Sequence, residues 1–149
     1  MSTKIRLEFA QDIDVELAKA NYWLPIIRVL ANIRLILIDG SLSRVYKAIV
    51  DTGSPITTVP ISIWQHARTI GLVKEKFRLQ GLGKGEIGGQ ISQIQIAFVD
   101  QRRTSRYLEI PAFLASDDQT PLIVGFHKVF SEHKLMCDYK KYNGFIQIR

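Results

Sequence analysis

The chain has a single cysteine, Cys137, among 149 residues. That excludes an intrachain disulfide framework and a paired-cysteine metal site. Long apolar runs are also missing, and none approaches the length of a membrane-spanning helix. The N-terminal stretch MSTKIRLEFAQDIDVE lacks the uninterrupted apolar core of a secretory signal. No membrane partner is therefore expected, and a cytoplasmic, reducing location is the default. Repeats, low-complexity tracts and Pro/Gly-rich linkers are absent too, which leaves one domain as the simplest organisation. Acidic residues are in the minority, 14 Asp and Glu against 20 Lys and Arg, for a formal charge of +6. Such a balance is compatible with an acidic partner. The basic residues are scattered, however, apart from QRRTSR at 101–106 and Lys140-Lys141, and neither cluster has aromatic residues interleaved in sequence. Both read as solvated turns, so no nucleic-acid partner is expected.

What is present is a soluble globular composition, 46% apolar and 23% charged, long enough for one real core. Val, Ile and aromatic residues fall in short runs separated by turn signals, which predicts an all-β fold. LPIIRVLANIRLILID (24–39) reads as one or two strands. Asp39-Gly40-Ser41 is a hairpin signal, and RVYKAIV (44–50) is the returning strand. Pro60 opens a short helix through ISIWQHARTI, with Ile61, Trp64 and Ala67 on one face and Gly71 as its stop. FRLQ and the alternating QISQIQIAFVD flank a glycine-rich segment at 81–89. RYLEIPAFLA is a further strand pair or bent strand, TPLIVG a buried strand and FHKVFSE a second short helix. KLMCDYKKYNGFIQIR closes the chain as a hairpin with Asn143-Gly144 near its turn.

One stretch carries chemistry: AIVDTGSPITTVP, residues 48–60. Ala48, Ile49 and Val50 anchor a strand that runs straight into Asp51. Gly53 allows a backbone conformation or a close approach denied to other residues. Thr52 offers a hydroxyl that can lock a turn. Asp, Gly, Ser and Pro are also ordinary turn residues, so the triplet alone is weak. Its setting strengthens it: a buried strand before, a helix after, and an echo of strand, Gly and helix in PLIVGFHKVF (121–130).

Rival constellations are poorer. Gly83 to Gly88, GKGEIG, fits G-x-G-x-x-G, but a phosphate loop must open a helix, and the next residues, QISQIQIAF, have the alternation of a strand. His127, His133, Cys137 and Asp138 match no zinc spacing, so no metal is expected. Ser54 with His66 lacks a third partner for nucleophilic catalysis.

Taken together, AIVDTGSPITTVP, GLGKGEIGGQ and LIVGFHKVFSEHKLMCDY resemble the retropepsin-like, retroviral-type aspartic proteases in order and approximate spacing. The resemblance covers residues 24–149, leaving 1–23 as an N-terminal extension or removable pro-segment, or alternatively as an extra strand and a short helix. It implies a closed β-barrel-type acid-protease monomer with a flap hairpin and one or two short helices. By position, Asp51 matches the catalytic Asp. Thr52 and Gly53 complete its triplet, with Thr52 making an interchain hydrogen-bond lock. Ser54, the flap residues Gly81, Leu82, Gly83, Lys84 and Gly85, and Ile123 and Val124 match substrate-binding positions. Phe126 stands where retroviral members usually carry Arg, which implies a different dimer contact.

Hydrolysis of a peptide bond by carboxylates needs two of them, sharing one proton. This chain has one Asp-Thr-Gly, so the resemblance implies a homodimer with two copies of Asp51 at its axis. The expected activity is aspartic endopeptidase, acting on polypeptide substrates without a cofactor. The alternative is a non-catalytic peptide-binding module of the same fold.

Overall fold

The computed structural model describes residues 1–73, 77–80 and 86–149, with side chains for 1–73 and 88–149. It is built almost wholly of strands. In chain order these are β1 (Thr3–Arg6), β2 (Glu8–Ile13), β3 (Pro25–Leu35), β4 (Tyr46–Val50), β5 (Thr57–Val59), β6 (Ile70–Gly71), β7 (Phe77–Gln80), β8 (Glu86–Val99), β9 (Leu108–Ala115), β10 (Ile123–Val124), β11 (Lys134–Asp138) and β12 (Asn143–Ile148). Two short helices, α1 (Val15–Lys19) and α2 (Ile61–Trp64), interrupt them. Phe126–Phe130 forms a kinked helical segment. Among the described residues no helix is long and apolar enough to cross a membrane.

Six strands close on themselves. β3 pairs with β4, β4 with β10, β10 with β5, β5 with β9, β9 with β8, and β8 returns to β3. Closure removes the unpaired edges that an open sheet would present. The inward faces of these strands supply the core, with Ile33, Leu35, Val59, Ile94, Ile96, Ile110 and Val124 all within 1% of complete burial. The alternation that predicted a strand through Gln90–Val99 is thus real, and β8 is long because its two halves serve different neighbours. Gly89–Ile96 pairs with β9 and Ile96–Val99 with β3.

β10 is only two residues long but sits between β4 and β5, parallel to the first and antiparallel to the second. β4 and β5 are consecutive in the chain. The residues joining them, 51–56, must therefore pass over the end of β10, and they include Asp51-Thr52-Gly53.

The segment read as an extension contributes to this structure. β1 pairs along its whole length with β12, in a small sheet with β11, and β2 pairs with β3. Ile5 is 0% and Leu7 3% exposed. Their burial is worth about 3–6 kcal/mol together, a large share of a typical domain's stability. A chain beginning at residue 24 should therefore show a sharply lower urea midpoint by circular dichroism.

Two expectations gave way to tertiary contacts. The helix after Pro60 lasts four residues, because Ala67 leaves it to bridge Leu37 while Arg68 N–H donates to the Ile36 carbonyl at 2.9 Å. Gly71 accordingly ends no helix and lies in β6. The Asp39-Gly40-Ser41 turn formed as read: Gly40 takes a φ of +87°, and Asp39 Oδ1 accepts from both the N–H and the hydroxyl of Ser41. RYLEIPAFLA proved to be the single strand β9 with its lead-in.

Candidate active site

Asp51 begins where β4 ends. The parallel pairing of β4 with β10 continues one residue further, as Asp51 N–H donates to the Val124 carbonyl at 3.1 Å. The chain then turns. Asp51 Oδ1 accepts from the Gly53 N–H at 2.9 Å, and Ser54 N–H donates back to the Asp51 carbonyl at 3.2 Å. A short carboxylate side chain bonding two residues ahead is the ordinary way to stabilise such a turn. The result is a half-buried carboxylate flanked by the exposed Thr52 and Gly53.

The segment after β10 holds this turn from below. Phe126 N–H donates to the Ser54 carbonyl at 2.8 Å and His127 N–H to the Pro55 carbonyl at 3.0 Å. Gly125 N–H donates to the Thr57 hydroxyl at 3.1 Å, and Thr57 is completely buried. Ser54 adds a bond from its own hydroxyl to the Ile56 carbonyl at 2.9 Å. With these groups satisfied inside the fold, the turn is a preorganised platform for Asp51. The helical segment is also kinked here. The amides of Phe126 and His127 are spent on the turn, and the backbone leaves helical geometry at His127 (ψ 129°) and Lys128 (φ 64°).

The two glycines have specific reasons. Gly53 does not occupy the left-handed region, where Gly40 is the one described glycine. Its smallness matters instead, since a Cβ there would sit 3.3 Å from Asp51 Oδ1. A Cβ on Gly125 would collide with the carbonyl of Ile56 and lie 2.8 Å from Thr57 N. Close approach of two backbones thus fixes the glycine of LIVG.

Thr57 was the functional support that sequence reasoning passed over. Its signal was a polar residue inside the apolar run ITTV. Thr57→Val keeps the shape and β-propensity but orphans the buried Gly125 N–H. It should lower stability by about 1–3 kcal/mol in urea titration.

Of the remaining sequence-predicted residues, Ser54 lies in the turn itself. Ile123 is half-buried beside it, and Val124 is fully buried beneath it and packs into the core. Gly81, Leu82, Gly83, Lys84 and Gly85 lie outside the described residues. The arms on either side are described: β7 and β8 pair from Phe77↔Gly89 to Gln80↔Glu86 as an antiparallel hairpin. Its base is latched by Ser116, whose N–H and hydroxyl both donate to the Gly88 carbonyl at 2.9 Å. Trp64 Nε1–H donates to the neighbouring Ala115 carbonyl at 2.8 Å. Neither contact was legible in the sequence, because both join segments far apart along the chain.

The rival constellations do not assemble among the described residues. His66 and His127 are exposed, and the Ser54 hydroxyl is committed to Ile56. His133 is buried, with Nδ1 accepting the Arg149 N–H at 3.2 Å. Burial, joined by the charges of Arg106 and Arg149 against that of Glu132, lowers its pKa from the usual 6.5. The folded chain therefore resists protonating a residue that the unfolded chain protonates freely. Stability is full above pH about 6.5 and falls as the pH drops below it towards the lowered folded value. The urea midpoint should decline on acidification through this window, and His133→Asn, whose amide oxygen can accept in place of Nδ1, should flatten the decline.

Comparison with solved structures places the whole architecture. A retropepsin-like aspartic protease from Rickettsia conorii superposes with a TM-score of 0.54 over 99% of this chain and 92% of its own, at 12% identity. EIAV protease complexed with the inhibitor HBY-793 aligns over 66% of this chain and 81% of its own, at 14% identity and a TM-score of 0.37. No protein-family model matches the sequence, and no curated protein does.

Proposed function

On a retropepsin-like, all-β fold, we propose that this chain is an aspartic endopeptidase that works as a homodimer. The observation that carries the reading is Asp51 itself: a half-buried carboxylate on an exposed turn, clamped by the strand continuation at Gly125–His127. The chain carries one Asp-Thr-Gly, so a second copy supplies the other carboxylate across a two-fold axis.

The chemistry rests on two carboxylates sharing one proton. The ionised member takes a proton from a water held between them, and the water oxygen attacks the scissile carbonyl carbon. The protonated member gives its proton to the carbonyl oxygen, forming a neutral gem-diol. Collapse of that intermediate breaks the C–N bond, with a proton passing to the leaving amine. No metal or organic cofactor has a part in these steps. Thr52, exposed beside Asp51, serves as the interchain lock. The substrate is gripped as an extended peptide through its backbone.

The dimer requirement is testable without substitution. Specific activity on an unfolded polypeptide at mildly acidic pH should rise with chain concentration and level off where sedimentation shows dimer. Cleavage strictly proportional to concentration by a monomer would overturn the two-chain site. A stable dimer that binds peptide but never cleaves it would instead assign the peptide-binding module.

A further inference from the structure

An open groove of about 910 Å³ lies away from the Asp51 turn, lined by β1, β2, the 100–103 turn and the start of β12. Five cations, Lys4, Arg6, Lys47, Arg102 and Arg103, line it together with two carboxylates, Glu8 and Asp100. Both carboxylates are already engaged. Asp100 accepts the backbone N–H groups of Arg6, Arg102 and Arg103 at 2.8–2.9 Å, and Glu8 accepts Lys47 Nζ at 2.9 Å and Asn32 Nδ2 at 3.3 Å. Burial pushes the Asp100 carboxyl up, yet those three N–H donors outweigh it and hold the pKa below the ordinary value. The 100–103 turn is thus built around a fixed anion that presents arginines. Among the described residues Lys4, Arg6, Arg102 and Arg103 form no ion pair with a carboxylate. The aromatic residues missing from QRRTSR in sequence are supplied in space. Lys4 Nζ lies 4.7 Å from the centre of the Phe145 ring, and Tyr142 lines the same groove at 44% exposure. Tyr142 is held with φ at 50°, a left-handed conformation that is rare for a bulky residue, and its ring packs edge-on against Phe9.

We propose that this groove binds single-stranded nucleic acid, with Lys4, Arg6, Arg102 and Arg103 on successive phosphates and the Tyr142 ring beneath a base. A cluster of cations that outnumbers its carboxylates selects a polyanion. Arginine forks match phosphate oxygens, and an exposed ring beside them offers the sequence-tolerant stacking face that distinguishes a nucleic-acid groove from one for acidic peptide. The proposal gives the 101–103 part of QRRTSR a role beyond that of a solvated turn. It stands independently of the peptidase reading, because it uses none of the Asp51 residues.

The test is fluorescence anisotropy of the full chain with a short labelled oligo(dT). Four phosphate contacts on a single strand predict a log–log salt slope of about −2.8, so affinity should fall about 50-fold between roughly 50 and 200 mM salt. The double variant Arg102→Ala/Arg103→Ala should reduce the slope to about −1.4. Tyr142→Asn, which tolerates the left-handed backbone, should weaken binding at least about fivefold while leaving the slope unchanged. Circular dichroism on each variant separates these effects from unfolding. Absence of saturable binding at low salt would overturn the proposal, as would variants that bind like wild type. Displacement by polyglutamate at equal affinity, with Tyr142→Asn silent, would reassign the groove to an acidic polypeptide.

Discussion

Asp51→Asn should abolish peptide hydrolysis, lowering kcat by about 10³-fold or more, within the range general acid–base catalysis contributes. The substitution is chosen because it spares the turn. Asn retains an acceptor oxygen for the Gly53 N–H that Asp51 Oδ1 now holds at 2.9 Å. Asn is also nearly isosteric with Asp. What it loses is the ability to take and return a proton. Stability should therefore change by less than about 1 kcal/mol, as substitutions away from buried or strained features usually do. Mixing supplies a second readout. With equal amounts of wild type and variant pairing at random, about a quarter of the dimers carry two Asp51 carboxylates, which halves activity per wild-type chain. Equal cleavage by wild type and Asp51→Asn would sink the peptidase assignment. Undiminished wild-type activity in the mixture would sink the shared site while leaving Asp51 itself essential.

Gly125→Val should remove both stability and activity. The position is extended, with φ −96° and ψ −176°, a conformation a side chain adopts without strain. The cost comes from space: the new Cβ meets the Ile56 carbonyl and, at 2.8 Å, Thr57 N. These are backbone atoms pinned by Ser54, Phe126 and His127, so they cannot yield without carrying the Asp51 turn with them. Overpacking of this kind costs about 1–3 kcal/mol, and contact with backbone rather than side-chain atoms puts this position at the upper end. Urea unfolding should show that loss, and residual folded protein should cleave poorly because Asp51 is displaced. Gly71→Ala is the contrast, since nothing lies within 4 Å of its added Cβ. It should leave the urea midpoint unchanged or slightly raised. Equal effects at Gly71 and Gly125 would refute the close-approach account.

Much of the fold was legible because it is encoded locally. Alternation through Gln90–Val99 marked β8, the buried run before Asp51 marked β4, and Asp39-Gly40-Ser41 marked a turn whose glycine does take a positive φ. Elements whose hydrogen bonds leave the local chain were misjudged. The segment Phe126–Phe130, read as a short helix, leaves helical geometry at His127 and Lys128, and its first amides bind Ser54 and Pro55, far earlier in the chain. The helix after Pro60 is short because Ala67 and Arg68 pair with the 36–37 segment.

The site divides the same way. Asp51-Thr52-Gly53 could be singled out by sequence, since a strand ending in Asp and Gly is a local pattern of residue types. By itself the sequence determined most of the strands after residue 24, the turn residues and one carboxylate ready for display. Only the tertiary structure decided that β10 lies between β4 and β5 and that Gly125 is pressed against the Ile56 carbonyl. It alone set Thr57 to satisfy a buried amide and gathered Arg102, Arg103, Lys4 and Tyr142 into one groove. Those facts depend on tertiary pairing, within the closed barrel and in the small β1-β12-β11 sheet, which joins segments separated by tens of residues through backbone hydrogen bonds and close packing. Sequence periodicity describes one strand at a time and carries no record of its neighbour.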